Sequence, residues 1–295
     1  MKYYVPIFEL GVLCPLQDHI EDKFGGLPWG LPQRSWPICK NCGKSMGLVA
    51  QLLHDDERLN LGRNGRCLFV FKCCNADSMC VETWDSETGG NSSFILEPEE
   101  LGSGLVFPPD IEDPDSAEIR TWHHCAGKQW NPEKTIWIET EVRIREWEPR
   151  DDGISESMRS SFMHEAGDID EELISKLYEG TKLGSVPAWV QAPEYDNYRF
   201  VGQFAPYFGF MTPIPDPDEV GCLVYPVYMG TKPRLPKVQR FDVPREISRH
   251  GSGLSDDDPV WVCGGPNYGD AGCGYLFIKD RRDSLPQCEF IWQCH

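Results

Sequence analysis

The residues best equipped for chemistry in this chain are cysteines. WPICKNCGKSM places Cys39 and Cys42 with two residues between them and Gly43 directly behind. That is the spacing of a zinc knuckle, in which a tight turn aims both sulfurs at one point. A second pair must complete a tetrahedron, and FKCCNADSMC offers Cys73, Cys74 and Cys80. Four thiolates at about 2.3 Å close a structural site, and sulfur-only coordination favours Zn²⁺. The expected ligands are Cys39, Cys42, Cys74 and Cys80, with Cys73 as the alternative to Cys74. Which of the adjacent pair points inward is left open by the sequence. The competing reading is a set of buried, reduced thiols that bind nothing.

Other clusters carry less. His123-His124-Cys125 is an adjacent triplet, and neighbours on a strand point to opposite faces. GGPNYGDAGCGYLFI is rich in glycine but leads into a strand; it does not open a helix whose N-terminus would cradle phosphate. HGSGL at 250–254 is not a nucleophile elbow, and no His-Glu-x-x-His occurs. Nothing in the sequence assembles a nucleophile, a base and an orienting group, so the chain reads as a non-enzyme.

Charge points to partners. The formal net charge is −19 and the pI about 4.7. Such a surface repels nucleic acid and anionic membranes and attracts basic proteins. Residues 73–119 hold twelve acidic side chains and no Lys or Arg. Within them Asp110, Glu112, Asp113 and Asp115 form the candidate contact segment for a basic partner. The plainer reading is an acidic surface kept for solubility. Thirteen cysteines without an export signal at the N-terminus, and no apolar run near the ~20 residues a bilayer span needs, lead to an expected cytoplasmic location with reduced thiols.

The elements that must position these residues read mostly as strands. Gly and Pro number 28 and 24, which favours short strands and many turns. RCLFVFKC and GYLFIK are apolar runs of β-formers and read as buried strands. TIWIETEVRIREW (135–147) alternates apolar and charged residues, as one half-buried antiparallel strand does. Asp168–Tyr178 has a capping residue, a stripe of Ile169, Leu173 and Leu177, and Gly180 at its exit, so a helix is predicted there. The fold class is α+β, mostly antiparallel sheet with few helices.

The chain also repeats itself. KFGGLPW (23–29) returns as KLGSVPAW (182–189), and LVAQLL (48–53) as FVGQFA (200–205). Leu68 and Leu276, Cys80 and Cys288, and Trp84 and Trp292 share one offset of 208. These matches in order predict an internal duplication with each pair as twins, and with Trp29 and Trp189 covering equivalent patches. The halves are expected at 1–150 and 151–295, forming one compact unit with its seam near 148–168.

KFGGLPW, CKNCGKSM followed by AQL, CNADSMCVETWD with GGN behind it, KLGSVPAWVQ, YGDAGCGYLFI and the terminal FIWQCH together resemble the YwqG-like family of bacterial proteins. The resemblance spans nearly the whole chain. It implies an α+β fold with internal duplication. It also implies a function: members serve as immunity proteins to secreted toxins, including a nuclease delivered by type VI secretion. The implied partner is a cognate basic toxin, bound one-to-one. No catalytic residues come with the resemblance. The first half also resembles eukaryotic chaperones that hold a basic ribosomal protein on a Cys-x-x-Cys platform, so the alternative is a zinc-containing chaperone or adaptor.

Overall fold

The computed structural model describes residues 1–10, 17–74, 80, 83–109, 118–121, 135–139, 141–163, 174, 177–193, 198–210, 227–229, 232–234, 261–269, 272–281 and 284–294. Sixteen strands occur among them: β1 Lys2–Leu10, β2 Lys23–Phe24, β3 Gly47–Leu53, β4 Cys67–Lys72, β5 Asn91–Leu96, β6 Glu118–Thr121, β7 Thr135–Ile138, β8 Val142–Asp151, β9 Lys182–Gly184, β10 Arg199–Phe204, β11 Tyr207–Phe210, β12 Val227–Met229, β13 Lys232–Arg234, β14 Trp261–Gly264, β15 Cys273–Lys279 and β16 Gln287–Gln293. One short helix, α1, runs over Arg159–Met163. The class is mostly antiparallel β, as the composition implied.

Ten strands make one sheet in the order β16-β15-β10-β9-β1-β8-β2-β3-β4-β5. The long antiparallel pair β1 and β8 forms its middle, from Lys2 opposite Asp151 to Leu10 opposite Val142. Each flank starts from a Lys-x-Gly strand. β2 continues from β8 into β3, β4 and β5; β9 continues from β1 into β10, β15 and β16. Residue 150 therefore lies inside a central strand, and the two flanks share one sheet. The edges β5 and β16 curl round to pack against each other. Between them lies a common core that includes Val49, Val70 and Ile95 from one flank and Val201, Leu276 and Phe290 from the other. The opposite faces carry separate clusters: Leu48, Phe69 and Phe71 in the first flank, Phe200, Tyr275 and Phe277 in the second.

The register defines the duplication residue by residue. Gln51 pairs with Phe69 and Ala50 with Val70, then a bulge at Val49 precedes the pair Leu48–Phe71. Gln203 pairs with Tyr275 and Gly202 with Leu276, then a bulge at Val201 precedes Phe200–Phe277. The equivalent of Leu276 is thus Val70, and not Leu68. A two-residue shift along a strand leaves every side chain on its own face, so the apolar pattern fits both registers. The remaining twins fail with it. Cys288 lies in β16 opposite Ile278, where the first flank has Asn91 opposite Lys72, and Cys80 belongs elsewhere. Trp84 and Trp292 are not equivalent; they touch each other, edge to face at 6.5 Å.

The recurring bend needs left-handed backbone at two successive residues. Gly25 and Gly26 have φ of 60° and 68°; Gly184 and Ser185 have 90° and 59°. Ser185 is strained there, and its hydroxyl is fixed on Asp152. Six residues after each lysine the backbone N–H is caught by the repeat's glutamine: Trp29 N donates to Gln51 Oε1 at 2.8 Å and Ala188 N to Gln203 Oε1 at 2.9 Å. Trp189 is one residue out of step with Trp29 and instead stacks on Phe277 and bonds Phe162 O.

The stretch 135–147 is two strands, not one. Glu139 and Glu141 are buried at the break. Glu139 O accepts Gly26 N at 3.0 Å, and Glu141 pairs with Lys23. These ties draw the chain off the ladder between β7 and β8. Most of the helix expected over Asp168–Tyr178 falls outside the described residues. His123, His124, Cys125 and the 250–254 segment also lie outside them. In the glycine-rich run before β15, the described residues 265–269 and 272 are neither helix nor strand, as the sequence implied.

Candidate metal centre

The knuckle is built by short-range hydrogen bonds. Ile38 and Ser45 form a bridge. Inside it Cys39 N donates to Lys44 O at 2.9 Å and Gly43 N to Cys39 O at 2.8 Å. Gly43 has φ of 69°, the left-handed backbone that closes the turn just after the second thiol. A Cβ at Gly43 would meet nothing within 4 Å, so only the backbone conformation demands glycine there.

The second pair arrives from β4 and the segment beyond it. Loop residues Gly89 and Gly90 hold both halves of the site: Lys40 N donates to Gly89 O at 3.1 Å and Cys73 N to Gly90 O at 2.8 Å. A Cβ on Gly89 would stand 2.4 Å from Lys40 Cδ, which explains glycine at this close approach. Trp36, Met46 and Phe71 pack behind, in the cluster that contains Cys39 and Cys73. Trp36 Nε1 donates to Met46 O at 3.0 Å and so fixes the wall.

Cys39, Cys42, Cys73 and Cys80 converge, with every sulfur within 4.8 Å of the others. Cys39 and Cys80 sulfurs are 3.7 Å apart, and so are those of Cys42 and Cys73. A tetrahedron with metal–sulfur bonds of about 2.3 Å has edges of roughly 3.8 Å, so the four donors fit one ion. Cys39 and Cys73 are buried, while Cys42 and Cys80 are partly exposed. A metal therefore has a way in.

The structure decides between the adjacent cysteines. Cys73 joins the site and Cys74 does not. Cys74 Sγ turns away to donate to the buried Glu139 Oε1 at 3.1 Å. It packs over Gly47, where an added Cβ would lie 2.8 Å from that sulfur. Backbone alternation sends neighbours to opposite faces, and the gap at Gly47 with the carboxylate beyond fixes which goes where. Sequence reading lacked the pairing partner of each face, so it could not choose. The remaining buried thiols are of another kind. Burial pushes Cys273 and Cys288 up to about 12 and Cys67 well above the ordinary thiol range. They stay protonated as packing residues.

A second feature shares the loop that completes the centre. Trp84 is 42 % exposed, high for so large an apolar side chain. Its ring lies edge-on to Trp292, and its carbonyl accepts Trp292 N at 3.2 Å. Asp85 and Glu87 follow it in the chain, and their charges act on Glu289 in β16. Burial raises the Glu289 carboxyl above its ordinary range, and the Glu87 and Asp85 charges raise it further. The acidic run was only partly a free surface. Glu97 is bound by Arg66 and Arg63, Glu99 by Arg63, and Glu100 caps its own turn. Asp110, Glu112, Asp113 and Asp115 lie outside the described residues. Among those described, no helix is long and apolar enough to cross a membrane. No protein-family model matches the chain, and no curated protein matches it.

Proposed function

We propose that this chain is a binding protein: an immunity protein of the YwqG-like kind, which neutralises a basic toxin one-to-one, with a structural Zn²⁺ on Cys39, Cys42, Cys73 and Cys80. The toxin class, a nuclease delivered by type VI secretion, and the cytoplasmic site of action rest on the sequence resemblance. The observation that carries the reading is Trp84, an exposed aromatic followed directly by the acidic Asp85 and Glu87, whose charges also act on Glu289. An aromatic face next to acidic side chains suits a Lys- or Arg-bearing surface. The ring supplies apolar anchorage and a cation–π face, and the carboxylates supply steering. A nuclease must present such a basic surface to phosphates.

Zinc suits four thiolates because a closed tetrahedron leaves no open coordination position, and its binding energy then becomes folding energy. The centre would hold the knuckle, the 83–90 loop and therefore Trp84 in one arrangement. Expression of the toxin-like neighbouring gene with and without this protein tests the reading. Survival only with the protein supports it; equal killing in both overturns it. A stable complex with some other basic protein, without protection, would instead favour the adaptor.

A further inference from the structure

A cleft of about 900 Å³ opens between the two flanks. Its walls come from the 56–66 loop and Glu97 of the first flank and from the 199–201 strand and residues 280, 281 and 284–286 of the second. The start of β1 and the Gly184–Ser185 bend lie between them. It has an unusual charge for this protein. Lys2, Arg58, Arg66, Arg159, Arg199 and Arg281 line it, against four acids, in a chain where acids outnumber bases 47 to 28.

The six cations are not equally committed. Lys2 is 2.6 Å from Glu57, Arg58 is 2.6 Å from Asp22, and Arg66 forks onto Glu97 with Nη2 at 2.6 Å and Nε at 3.0 Å. Their charges are answered where they stand. On the facing wall Arg199 stands 3.7 Å from Asp280 and reaches across to Asn60 O at 3.5 Å. Arg281 is bonded to the neutral amide of Gln287. Arg159 is held by Glu156, a carboxylate 72 % exposed that does not line the cleft. Three guanidiniums therefore keep donors for a ligand.

We propose that this cleft binds a phosphorylated small molecule. The guanidinium fork matches phosphate oxygens two at a time. A ligand here must also outcompete resident carboxylates such as Asp280. A singly charged carboxylate gains nothing by that exchange, whereas a group with two or more charges on neighbouring oxygens does. The volume suits a ligand of nucleotide size, and a boundary between two structural halves is a common place for one. The bend at its floor belongs to the same design: the first flank has Gly26 at the left-handed position, and the second has Ser185 there, held on Asp152.

Titration calorimetry of the full chain with inorganic triphosphate tests this. Saturable one-to-one binding is expected, weaker at high salt. The Arg199→Gln/Arg281→Gln double variant should bind about tenfold or more weakly, since a hydrogen bond to a charged group contributes on that scale. Arg34→Gln, exposed on the knuckle side, should bind as the parent does. Asp280→Asn should bind more tightly, because it releases Arg199. Circular dichroism melts confirm that each variant is folded. Absence of saturable binding at millimolar triphosphate, or undiminished affinity in the folded double variant, would overturn the proposal.

Discussion

Lys23 and Lys182 occupy the same position in the two repeats, and their ammonium groups meet opposite surroundings. Both are fully buried. Lys23 Nζ donates to Leu27 O at 2.6 Å, Gln17 Oε1 at 2.8 Å and Glu141 Oε2 at 3.2 Å. Lys182 Nζ has no hydrogen-bond partner among the described residues and lies 5.5 Å from the centre of the Tyr3 ring. Burial pulls Lys182 down to about 8, with Asp152 opposing.

The first prediction follows from that contrast. The folded state holds the Lys182 proton less tightly than the unfolded chain, whose lysine titrates near 10.5. Below about pH 8 both states are charged, and the folded one carries the whole desolvation penalty. Between about pH 8 and 10.5 the penalty fades and stability from this group rises. Lys182→Met should therefore stabilise the protein by about 1–3 kcal/mol at neutral pH and by much less near pH 10. Lys23→Met should instead destabilise by about 3–5 kcal/mol, because it breaks the buried pair with Glu141 and removes the donor to Gln17 Oε1 and Leu27 O. Urea melts at the two pH values check both; an equal effect of Lys182→Met at both contradicts the linkage.

Gln51 and Gln203 carry the second prediction. Besides catching the bend, Gln51 Nε2 donates to Glu21 O at 2.9 Å and Gln203 Nε2 to Gly180 O at 3.0 Å. Each acceptor lies two residues before the repeat's lysine. Either glutamine replaced by alanine leaves a buried N–H and a buried carbonyl without their partner. Losses of about 2–4 kcal/mol are expected at each site, and the double variant should be close to the sum, since the two share no partner. A loss at one site alone would mean that the bends are not energetically equivalent.

The third prediction separates Cys73 from Cys74. Elemental analysis after purification without chelator should give one zinc per chain for the parent protein. Cys73→Ser should lose it, and its melting temperature should fall with it. Cys74→Ser should keep the metal, because its sulfur faces Glu139 and Gly47. Zinc loss in Cys74→Ser with retention in Cys73→Ser would reverse the ligand assignment.

These sites show how far sequence reading reached. The knuckle was legible because its turn is local: Gly43 and two cysteines define it alone. The choice at 73 and 74 was not, because it depends on Gly47 and Glu139, distant in sequence. The Lys-x-Gly bends were legible as repeats from their letters, and so was the strand pair LVAQLL and FVGQFA that aligns Gln51 with Gln203, though not the bond each makes to its bend. The strand twins were misplaced by two residues because that shift preserves the inside–outside pattern. The shared positions of the bulges at Val49 and Val201, visible only in the pairing, set the true register. The break at Glu139 was hidden because an alternating pattern does not show that a charged residue is buried and paired. The basic cleft was invisible for a related reason: its six cations are spread from Lys2 to Arg281, and an overall charge of −19 masks them.

The last prediction concerns the Trp84 surface and rests on the proposed basic partner. Trp84→Ala should weaken the complex by about 2 kcal/mol or more, while the folded protein loses the smaller contribution of a half-exposed ring packed on Trp292. Asp85→Asn with Glu87→Gln should slow association more at low salt than at high, and change dissociation less, because these exposed charges steer over distance. Glu289 adds a pH signature. Its carboxyl is raised by burial and by two neighbouring carboxylates, so the folded, unbound protein pays for ionising it at neutral pH. A docked cation relieves that repulsion and favours the ionised form. Affinity should then fall as pH drops through the raised Glu289 titration, with proton uptake on dissociation. Glu289→Gln should flatten that part of the profile. Surface plasmon resonance with a catalytically dead toxin across mildly acidic to neutral pH reads all three variants. If Trp84→Ala binds as tightly as the parent and the pH profile survives Glu289→Gln, the partner docks elsewhere on the chain.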